Sequence, residues 1–516
     1  NYFNKRIFIL FIFQIILGGV SVFSFQPFNF LFINFLSLPV LLFLIIYVKK
    51  KSKSTYRKKP FLKNLFYLGT SYGFSFYFFN LHWIVNSMTF DETFKIFIPF
   101  GLILIPLFLS LFFSIPIILS GFFLNEKISS ILIISFLFAI SDFIRSKILT
   151  GFPWNIWIYS YSSNLESLQL LDKMGFFSLN LIVITFFFLP TIFFLKVQKK
   201  FLLISFFSII FLSNYFYGSY KINSYFNEKK TKKIINFKII SPSLELSQFK
   251  DPYEVLKTLI KISDPQKNKE TIFIWPEGVF MGDNFSNIKN IEKVRKLFEK
   301  NFSKNHFVVL GANTENKGSY FNSFLIVDSK LNIISQYDKK KLVPFGEFLP
   351  FEKILNKVGL KKITPGYTSF SKGEKKQLIG LKYKSDLISI LPLICYEIIF
   401  PNIIEKDSNE FDFIINISED AWFGTSIGPH QHFSKAILRS IESRKFVIRS
   451  ANKGISAFLD PTGKVVKSLE PSEPGNIELE VPVHDKLEIQ HKKSLIFLLL
   501  LITYVLTIFI IRKFKF

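Results

Sequence analysis

Cysteine is almost absent from this chain of 516 residues, which contains only Cys395. A single thiol cannot form an internal disulfide, so the chain is not a small domain held together by disulfides. The P-loop and the GxGxxG fingerprint are absent as well, which removes two common sequence signals of nucleotide binding. His430 and His432 lie two residues apart, but without a cysteine or carboxylate cluster beside them they make a weak zinc site. We expect neither a metal ion nor a cofactor.

Acidic residues are few beside basic ones: 38 Asp and Glu against 64 Lys and Arg, a formal net charge of +26. Such an excess can indicate a nucleic-acid partner. Here the basic residues lie mainly beside apolar stretches and across a domain of mixed charge, not in one stripe interleaved with aromatic side chains. No nucleic-acid partner is expected.

Apolar residues are abundant, at 49% of the chain, and the mean hydropathy is +0.33. A soluble protein of this length is rarely so apolar. Crossing a bilayer takes about 20 mostly apolar residues. Eight stretches have this character: 6–23, 28–48, 65–81, 96–124, 128–148, 176–195, 201–217 and 494–511. They predict a membrane domain of about seven helices over residues 1–220, and a C-terminal transmembrane helix with a short basic tail over residues 494–516.

The positions of the basic residues predict an orientation for these spans. The basic block 49–63, the turn 196–200 and the tail after residue 511 all fall on one side if the helices alternate. An excess of Lys and Arg marks the cytoplasmic side. The long insert, residues 221–493, then lies outside the cytoplasm. For a protein of a bacterial inner membrane, that compartment is the periplasm.

The insert reads as an α/β domain. Short runs rich in β-branched and aromatic residues, such as TIFIWP, HFVVLGA and LISILPLICY, are separated by helical patterns such as NIEKVRKLFEKNF. Runs of this kind are typical of buried strands that end in loops. Strands that alternate with helices indicate a layered α/β domain.

Three reactive side chains follow the ends of predicted strands. These are Glu277 in IFIWPEG, Lys339 in YDKKKLVPFGE and Cys395 in LPLICYE. Taken singly, each has an ordinary interpretation: a solvated glutamate, a surface lysine and an inert buried cysteine. Together they form a working set, because a thiol with a pKa of about 8.5 needs a base or a nearby cation to become a good nucleophile. Glu277 can take the thiol proton, and Lys339 can stabilise the thiolate and an oxyanion.

The motifs around these three residues resemble those of a known family. The stretches WPEG, YDKKKLVPFGEFLPFE, ICYEIIFP and DAWFGTSIGPHQH resemble those of bacterial apolipoprotein N-acyltransferases, membrane-embedded members of the nitrilase superfamily. The resemblance covers essentially the whole chain, spans included. It implies a multi-span helical membrane domain plus an extracytoplasmic nitrilase-like domain, an α-β-β-α sandwich.

The resemblance also implies a reaction. Such an enzyme moves a fatty acyl chain from a membrane phospholipid to the nucleophilic cysteine, forming a thioester in a ping-pong mechanism. It then passes the acyl chain to the free α-amino group of the N-terminal diacylglyceryl-cysteine of an apolipoprotein, which completes lipoprotein maturation. The expected partners are the phospholipid donor, the apolipoprotein acceptor and the lipid bilayer, and the expected state is a monomer.

Residue by residue, the motifs carry family roles onto this sequence. Glu277 matches the general base, Lys339 the cation on the oxyanion side and Cys395 the nucleophile. The other matched residues are Glu347, which supports the lysine, Tyr396 and Glu397, which are required beside the nucleophile, Trp422, an essential tryptophan near the rim of the site, and Asn322.

Two positions depart from the family pattern. Glu419 stands where relatives usually have asparagine, which adds a charge near the site. The region SPSLELSQFKD lacks a tryptophan that relatives often carry, and Phe249 is the nearest substitute. The segment 345–360, FGEFLPFEKILNKVGL, is interpreted either as a surface loop and helix or as a lid that touches lipid while Glu347 points at Lys339.

Two other functions remain open at the level of the residues alone. A membrane-tethered amidase or nitrilase would share Glu277, Lys339 and Cys395 but would need no multi-span platform. A transporter with a ligand-binding outer domain would carry ionisable residues near the middle of its spans. Asp142 and Arg145 lie toward the end of the fifth predicted span, which is the position of an interfacial pair.

Overall fold

The structure is a computed structural model that describes residues 2–53, 59–90, 92–225, 231–246, 251–280, 282–350, 352, 369–374, 378–384, 386–401, 403, 410–484 and 492–514. The chain divides into two compact units. One comprises Asn1–Asn223 together with His491–Phe516, and the other comprises Ser224–Gln490.

The α-helices of the two units are named here in chain order. They are α1 (Tyr2–Ile7), α2 (Phe13–Val20), α3 (Asn34–Lys53), α4 (Lys59–Leu81), α5 (Glu92–Lys95), α6 (Ile98–Leu109), α7 (Leu111–Phe123), α8 (Ser129–Arg145), α9 (Leu165–Leu168), α10 (Leu171–Met174), α11 (Phe176–Phe188), α12 (Lys200–Ser224), α13 (Pro252–Ser263), α14 (Phe285–Asn290), α15 (Glu292–Asn301), α16 (Gly428–Ser443) and α17 (Lys493–Lys513).

Among the described residues, six helical segments are long and apolar enough to cross a membrane. These are Lys5–Ser24, Leu31–Lys51, Ile98–Phe123, Phe176–Phe193, Lys200–Ser224 and Lys493–Lys513. The other two predicted spans are helical but less suited: α4 carries Tyr, Ser, Thr and Gly between its apolar residues, and α8 has 17 residues. The stretch predicted as one span over 96–124 contains α6 and α7, which meet at Ser110.

Small residues let helices of the first unit approach closely. A Cβ atom on Gly69 of α4 would lie 2.7 Å from the Cα atom of Ser114 in α7, and one on Gly18 of α2 would lie 2.2 Å from the carbonyl oxygen of Tyr72. Helices in lipid associate through such close backbone contacts, because lipid tails offer no hydrophobic driving force between them. Alanine at either position would therefore push two helices apart.

The polar pair near the end of α8 is buried among protein atoms. Arg145 Nη2 lies 3.1 Å from Asp142 Oδ1. Arg145 Nη1 donates to the carbonyl oxygens of Phe152 and Trp154 at 2.9 and 2.7 Å. Asn180 Nδ2 donates to the second carboxylate oxygen of Asp142 at 3.1 Å. The pair is thus buried inside the first unit, where Arg145 holds the segment after α8.

The second unit contains two six-stranded sheets. Its strands are β1 (Thr231–Ser241), β2 (Thr271–Ile274), β3 (His306–Asn316), β4 (Ser319–Val327), β5 (Ile333–Asp338), β6 (Ile379–Tyr383), β7 (Asp386–Ile394), β8 (Phe413–Glu419), β9 (Phe446–Asn452), β10 (Ser456–Leu459), β11 (Val465–Leu469) and β12 (Gly475–His484). The first sheet has the order β12-β1-β2-β3-β4-β5 and the second β11-β10-β9-β8-β7-β6. Strands β1, β2 and β3 are parallel to one another, as are β7, β8 and β9.

The two sheets face each other and helices cover their outer sides. The rings of Phe237 in β1 and Phe413 in β8 meet at a centroid distance of 5.2 Å, so side chains of the two sheets interleave. On the other side of the first sheet, Trp275 packs with Phe298 of α15 and with Phe302 in a buried cluster to which α13 also contributes. Helix α16 packs against β9 and β10 of the second sheet. This α-β-β-α sandwich confirms the predicted fold of the insert.

Candidate active site

The candidate site lies where several strands of the second unit end. Glu277 follows β2, which ends at Ile274, and Cys395 directly follows β7. Lys339 directly follows β5, and Asn322 lies within β4. Strand β2 belongs to the first sheet and β7 to the second, and because the two sheets face each other, Glu277 and Cys395 come together although they are 118 positions apart in sequence.

Cys395 occupies a sharp turn. Its φ angle is +48°, in the left-handed region that side chains other than glycine rarely adopt, and it begins the short 3-10 helix Cys395–Ile399. Backbone strain of this kind persists where the surrounding structure holds it, often at functional sites. The turn presents the thiol at the end of β7, and the residue as a whole is buried.

Lys339 lies between two carboxylates. Its Nζ atom is 3.3 Å from Glu277 Oε1 and 2.9 Å from Glu347 Oε1. Asn322 Nδ2 donates to the same two oxygens, each at 2.7 Å. Burial disfavours the charged form of Lys339, but attraction to Glu277, Glu347 and the Cys395 thiolate outweighs it and raises the lysine pKa. Lys339 therefore stays protonated throughout the physiological range.

Backbone N–H groups fix both carboxylates. Glu277 Oε2 accepts from the N–H of Glu419 at 3.0 Å, and Glu347 Oε2 accepts from the N–H of Val343 at 2.8 Å. Each carboxylate thus has one oxygen on Lys339 and the other on the main chain. Side chains held by two bonds of this kind lose little further freedom when a substrate arrives, which is the condition for preorganised chemistry.

The Cys395 thiol is protonated in the resting site. Its pKa is raised well above the ordinary value, first by burial and then by the negative charges of Glu277 and Asp420, while Lys339 and a hydrogen bond with Ser418 lower it. A thiol in this state attacks a carbonyl only if a base removes its proton. Of the charges that oppose the thiolate, Glu277 has the largest effect, and a carboxylate in that position can accept a proton.

Glu397 bonds residues beside Lys339 and the residue before Cys395. Its Oε1 atom accepts from the Tyr337 hydroxyl at 2.8 Å and from the N–H groups of Lys340 and Lys341 at 2.9 and 3.1 Å. Its Oε2 atom accepts from the N–H of Ile394 at 3.0 Å. One buried carboxylate therefore joins the turn that carries Cys395 to the loop that carries Lys339.

The aromatic neighbours take different places. Tyr396 is buried against Phe400, with ring centroids 5.1 Å apart, and it lies close enough to Lys339 for the ammonium to act on the pKa of its hydroxyl. That pKa is nevertheless raised, because burial disfavours the phenolate. Trp422 lies on the 3-10 turn Asp420–Phe423 after β8 and is half-buried. The structure thus puts Tyr396 beside the lysine and Trp422 on a neighbouring turn.

Glu419, which departs from the family pattern, is fully buried at the end of β8. Its Oε1 atom accepts from the N–H of Ala421 at 3.1 Å, and Asn452 Nδ2 lies 3.0 Å from both carboxyl oxygens. Burial raises its pKa well above the ordinary value, and the charges of Glu277 and Asp420 add to the rise. Burial therefore favours the neutral form of this carboxyl, which caps the turn by accepting from Ala421.

We therefore expect Glu419→Gln to stabilise the protein at neutral and alkaline pH. A carboxyl whose folded-state pKa is raised keeps its proton in the folded state but loses it on unfolding above about pH 4.5, so stability falls as the pH rises from there. Glutamine cannot ionise and should remove this component. Melting temperatures of detergent-solubilised protein between pH 5 and 9 should differ by a few degrees at the alkaline end and converge near pH 5. Parallel curves for the two proteins would contradict the neutral assignment.

The loop after Lys339 is described in part. Phe345 has a φ angle of +62° and is about half exposed, and its N–H donates to the carbonyl oxygen of Phe348 at 2.8 Å. Glu347 points at Lys339, as the lid hypothesis requires. Residues 351 and 353–360 of the predicted lid, and Phe249, lie outside the described residues.

Two contributors to the site had no sequence signal of their own. The N–H group of Glu419 holds Glu277, and any residue type supplies such a donor. Ser418 contacts the thiol, and a serine at the end of a strand is too common to single out. Across the part of the chain that the structure describes, no group of three or more His, Cys, Asp and Glu side chains could hold a metal ion.

Fold and site together define a class of protein. Two facing sheets between helices, with cysteine, lysine and glutamate at adjoining strand ends, are the arrangement expected of a carbon–nitrogen hydrolase, or nitrilase-type, domain. The family described as carbon-nitrogen hydrolase matches residues 247–485, and the apolipoprotein N-acyltransferase N-terminal domain matches residues 17–189. A CN-hydrolase superfamily protein of Xanthomonas campestris is 14% identical in sequence, with a TM-score of 0.35 over 48% of this chain and 91% of that chain.

Curated relatives narrow the class. An apolipoprotein N-acyltransferase of Rickettsia prowazekii is 32% identical over 427 residues, which cover 80% of this chain and 82% of that protein. One of Rhizobium rhizogenes is 28% identical over 480 residues, which cover 90% of this chain and 88% of that protein. The chain belongs to the apolipoprotein N-acyltransferase family, as its motifs predicted. It is a membrane acyltransferase of lipoprotein maturation.

Proposed function

We propose that this protein transfers a fatty acyl chain from a membrane phospholipid, through a thioester on Cys395, to the α-amino group of the N-terminal diacylglyceryl-cysteine of apolipoproteins. Residues 1–220 and 494–516 hold it in the membrane, and residues 221–493 carry the chemistry. The single observation that supports this most strongly is the buried contact of Lys339 with both Glu277 and Glu347 beside a protonated thiol.

In the first half-reaction the acyl chain moves to the protein. Glu277 takes the thiol proton, and the sulfur of Cys395 attacks the ester carbonyl of the phospholipid. The ammonium of Lys339 stabilises the oxyanion of the tetrahedral intermediate. The intermediate collapses, the ester C–O bond breaks, and Glu277 returns the proton to the departing oxygen. A lysophospholipid leaves, and Cys395 is held as a thioester.

In the second half-reaction the acyl chain moves to the acceptor. The neutral α-amine of the lipoprotein attacks the thioester carbonyl, again with Lys339 on the oxyanion side. Glu277 takes a proton from the attacking nitrogen, the C–S bond breaks, and the thiolate of Cys395 receives the proton. An amide replaces the thioester, and the site returns to its resting state. One acid–base group therefore serves both halves in a ping-pong cycle.

The proposed location follows from the substrates and from the charge pattern of the loops. Both substrates are anchored in lipid, so a site held at the surface of the membrane meets them by diffusion in two dimensions. The basic segments 49–63, 196–200 and 512–515 favour a cytoplasmic position for one side of the spans. We place the protein in a bacterial inner membrane as a monomer, with residues 221–493 in the periplasm.

The test is a mass measurement on the one thiol of the chain. Purified protein is incubated with a phospholipid of defined acyl chains, and the peptide that contains Cys395 is analysed by mass spectrometry. We expect the mass of one acyl chain on that peptide and one lysophospholipid released per protein. A synthetic diacylglyceryl lipopeptide with a free amine should then discharge the thioester, whereas its N-acetylated form should not.

The amidase alternative predicts the opposite pattern. A protein that hydrolyses a soluble amide while phospholipid leaves the mass of the Cys395 peptide unchanged would overturn the proposal. Thioester formation without discharge by the lipopeptide would retain the donor half and refute the acceptor half.

A further inference from the structure

A buried polar cluster lies behind the nucleophile on the neighbouring strand. Strands β7 and β8 run parallel with Ile394 beside Ile417, so the next residues along them, Cys395 and Ser418, are also neighbours. Ser418 is fully buried, and it lowers the pKa of the Cys395 thiol as a hydrogen-bonding group does. The register of the sheet therefore places a hydroxyl beside the reacting sulfur.

The hydroxyl of Ser418 is itself oriented by a buried carboxylate. The hydroxyl of Ser418 donates to Asp420 Oδ1, with an oxygen–oxygen distance of 2.6 Å. Arg449 Nη2 donates to the other oxygen, Asp420 Oδ2, at 2.8 Å, and His432 Nδ1 lies 3.0 Å from Oδ1. All four side chains are inaccessible to solvent. A polar network that is buried and paired in this way fixes the positions of its heavy atoms, because moving a side chain would leave a buried polar group without its partner, whereas a hydroxyl hydrogen can still rotate.

The cluster is anchored on every side. Arg449 also bonds Asn416 of β8 and donates from Nε to the carbonyl oxygen of Ile455 at 3.2 Å. A Cβ atom on Gly454 would lie 2.2 Å from Asp420 Oδ2, so the chain has room for this carboxylate only because residue 454 is glycine. Burial opposes ionisation of Asp420, but Arg449 and the ring of His432 hold its pKa at about 2. Asp420 is an anion throughout the working range.

We propose that Ser418 is a positioning residue for Cys395: its hydroxyl, held by Asp420, fixes the thiol in the resting site and turns to donate to the sulfur when the thiolate forms. The proposal rests on the proposed function, in which the thiolate forms before acylation and departs after it. It adds a residue outside the glutamate, lysine and cysteine set.

The Ser418 hydroxyl must rotate because it has only one hydrogen to donate. A serine hydroxyl has one hydrogen and two lone pairs. In the resting site the hydrogen goes to Asp420, and a lone pair receives the S–H of Cys395. When Glu277 removes the thiol proton, the hydroxyl hydrogen can turn to the sulfur, because Asp420 keeps Arg449 and His432 as partners.

The charges that face the sulfur show why such a donor matters. Lys339 favours the thiolate, whereas Glu277 and Asp420 oppose it. Once Glu277 has taken the thiol proton it is neutral, and Asp420 remains as the opposing charge. A hydroxyl between Asp420 and the sulfur gives the thiolate a donor on the side from which it is repelled. A hydrogen bond to a charged group is worth roughly tenfold or more in an equilibrium.

The test uses the reactivity of the single thiol. In the full-length, detergent-solubilised protein, iodoacetamide modifies only Cys395, so the alkylation rate against pH reports that thiol with no lipid present. We expect Ser418→Ala to move this profile to higher pH and to slow thioester formation from phospholipid about tenfold, with the phospholipid KM unchanged. Ser418→Thr, which keeps a hydroxyl, should restore the wild-type profile.

Ser450→Ala is the matched control. Ser450 is equally buried on the adjoining strand β9, and its hydroxyl donates to the carbonyl oxygen of Ile240 at 2.8 Å. The control should alkylate like the wild type. Equal effects of Ser418→Ala and Ser450→Ala, or a Ser418→Ala profile that superimposes on the wild type, would overturn the proposal. If Ser418→Ala did not fold, a displaced Ser418→Thr profile would do the same.

The two proposals fail separately. If the alkylation profiles shift as expected but the wild-type protein forms no thioester from phospholipid, the positioning role stands and the proposed donor is wrong. If the thioester forms and the profiles coincide, the donor stands and Ser418 has no part in positioning the thiol.

Discussion

Replacing Cys395 by alanine should abolish acyl transfer and leave the protein folded. With no other thiol in the chain, no second nucleophile of the same kind can take over, and the rate should fall to background, about 10⁴-fold or more. Loss of one buried sulfur costs only about 1 kcal/mol of packing, so the melting temperature should stay within a few degrees of the wild type. Lysophospholipid release and transfer to a lipopeptide, measured side by side, check the prediction.

Cys395→Ser separates the chemistry of the sulfur from its shape. Serine is close in size, but its hydroxyl is a far weaker nucleophile without a base matched to it, so this variant should be inactive as well. Full transfer activity in Cys395→Ala would show that the nucleophile is assigned to the wrong residue, whatever the state of the fold.

Glu277→Gln should block formation of the thioester, whereas Glu347→Gln should weaken it. The two carboxylates are a matched pair, since each has one oxygen on Lys339 and Asn322 and the other on a backbone N–H. They differ in that the charge of Glu277 raises the pKa of the Cys395 thiol. Loss of a general base costs about 10² to 10⁴-fold. The loss in Glu347→Gln should be smaller, because Lys339 keeps one carboxylate.

Single-turnover acylation of the two variants is the decisive measurement. Phospholipid is supplied in excess, and thioester on Cys395 is followed with time. Melting temperatures show whether either variant loses its fold, since each removes one of two charges around a buried ammonium. Equal acylation rates for Glu277→Gln and Glu347→Gln would contradict the assignment of the base.

Much of the site was predictable because strand ends are visible in the sequence. Glu277, Lys339 and Cys395 each follow an apolar run, so the sequence marked them as residues at strand ends. Strands β2 and β5 lie in one sheet and β7 in the other, and the sequence did not show that the two sheets face each other. The contact between Glu347 and Lys339 was expected from the resemblance alone, because seven intervening residues in a loop can place a side chain in many positions. The structure supplies the distance of 2.9 Å between them.

Other features could not be predicted from local patterns. Hydropathy indicated an apolar stretch over residues 96–124 but not the junction of two helices at Ser110. The position of Asp142 and Arg145 near a helix end predicted an interfacial pair but gave no sign that the segment after α8 folds back to bond Arg145. In each case the outcome depends on which distant residues pack against the stretch.

The sequence by itself determined the apolar spans, the α/β character of the insert and the family motifs, since each is a property of consecutive residues. Only the tertiary structure decided which side chains of the site favour the charged form and which hydrogen-bond partners they have. Glu419 looked like an added charge, but its burial in the fold raises its pKa and favours its neutral form. Asp420 looked like part of a motif, but it bonds Ser418 beside it and Arg449, which reaches it from the neighbouring strand. Charge and proton position depend on burial and on partners remote in sequence, and the fold alone brings those together.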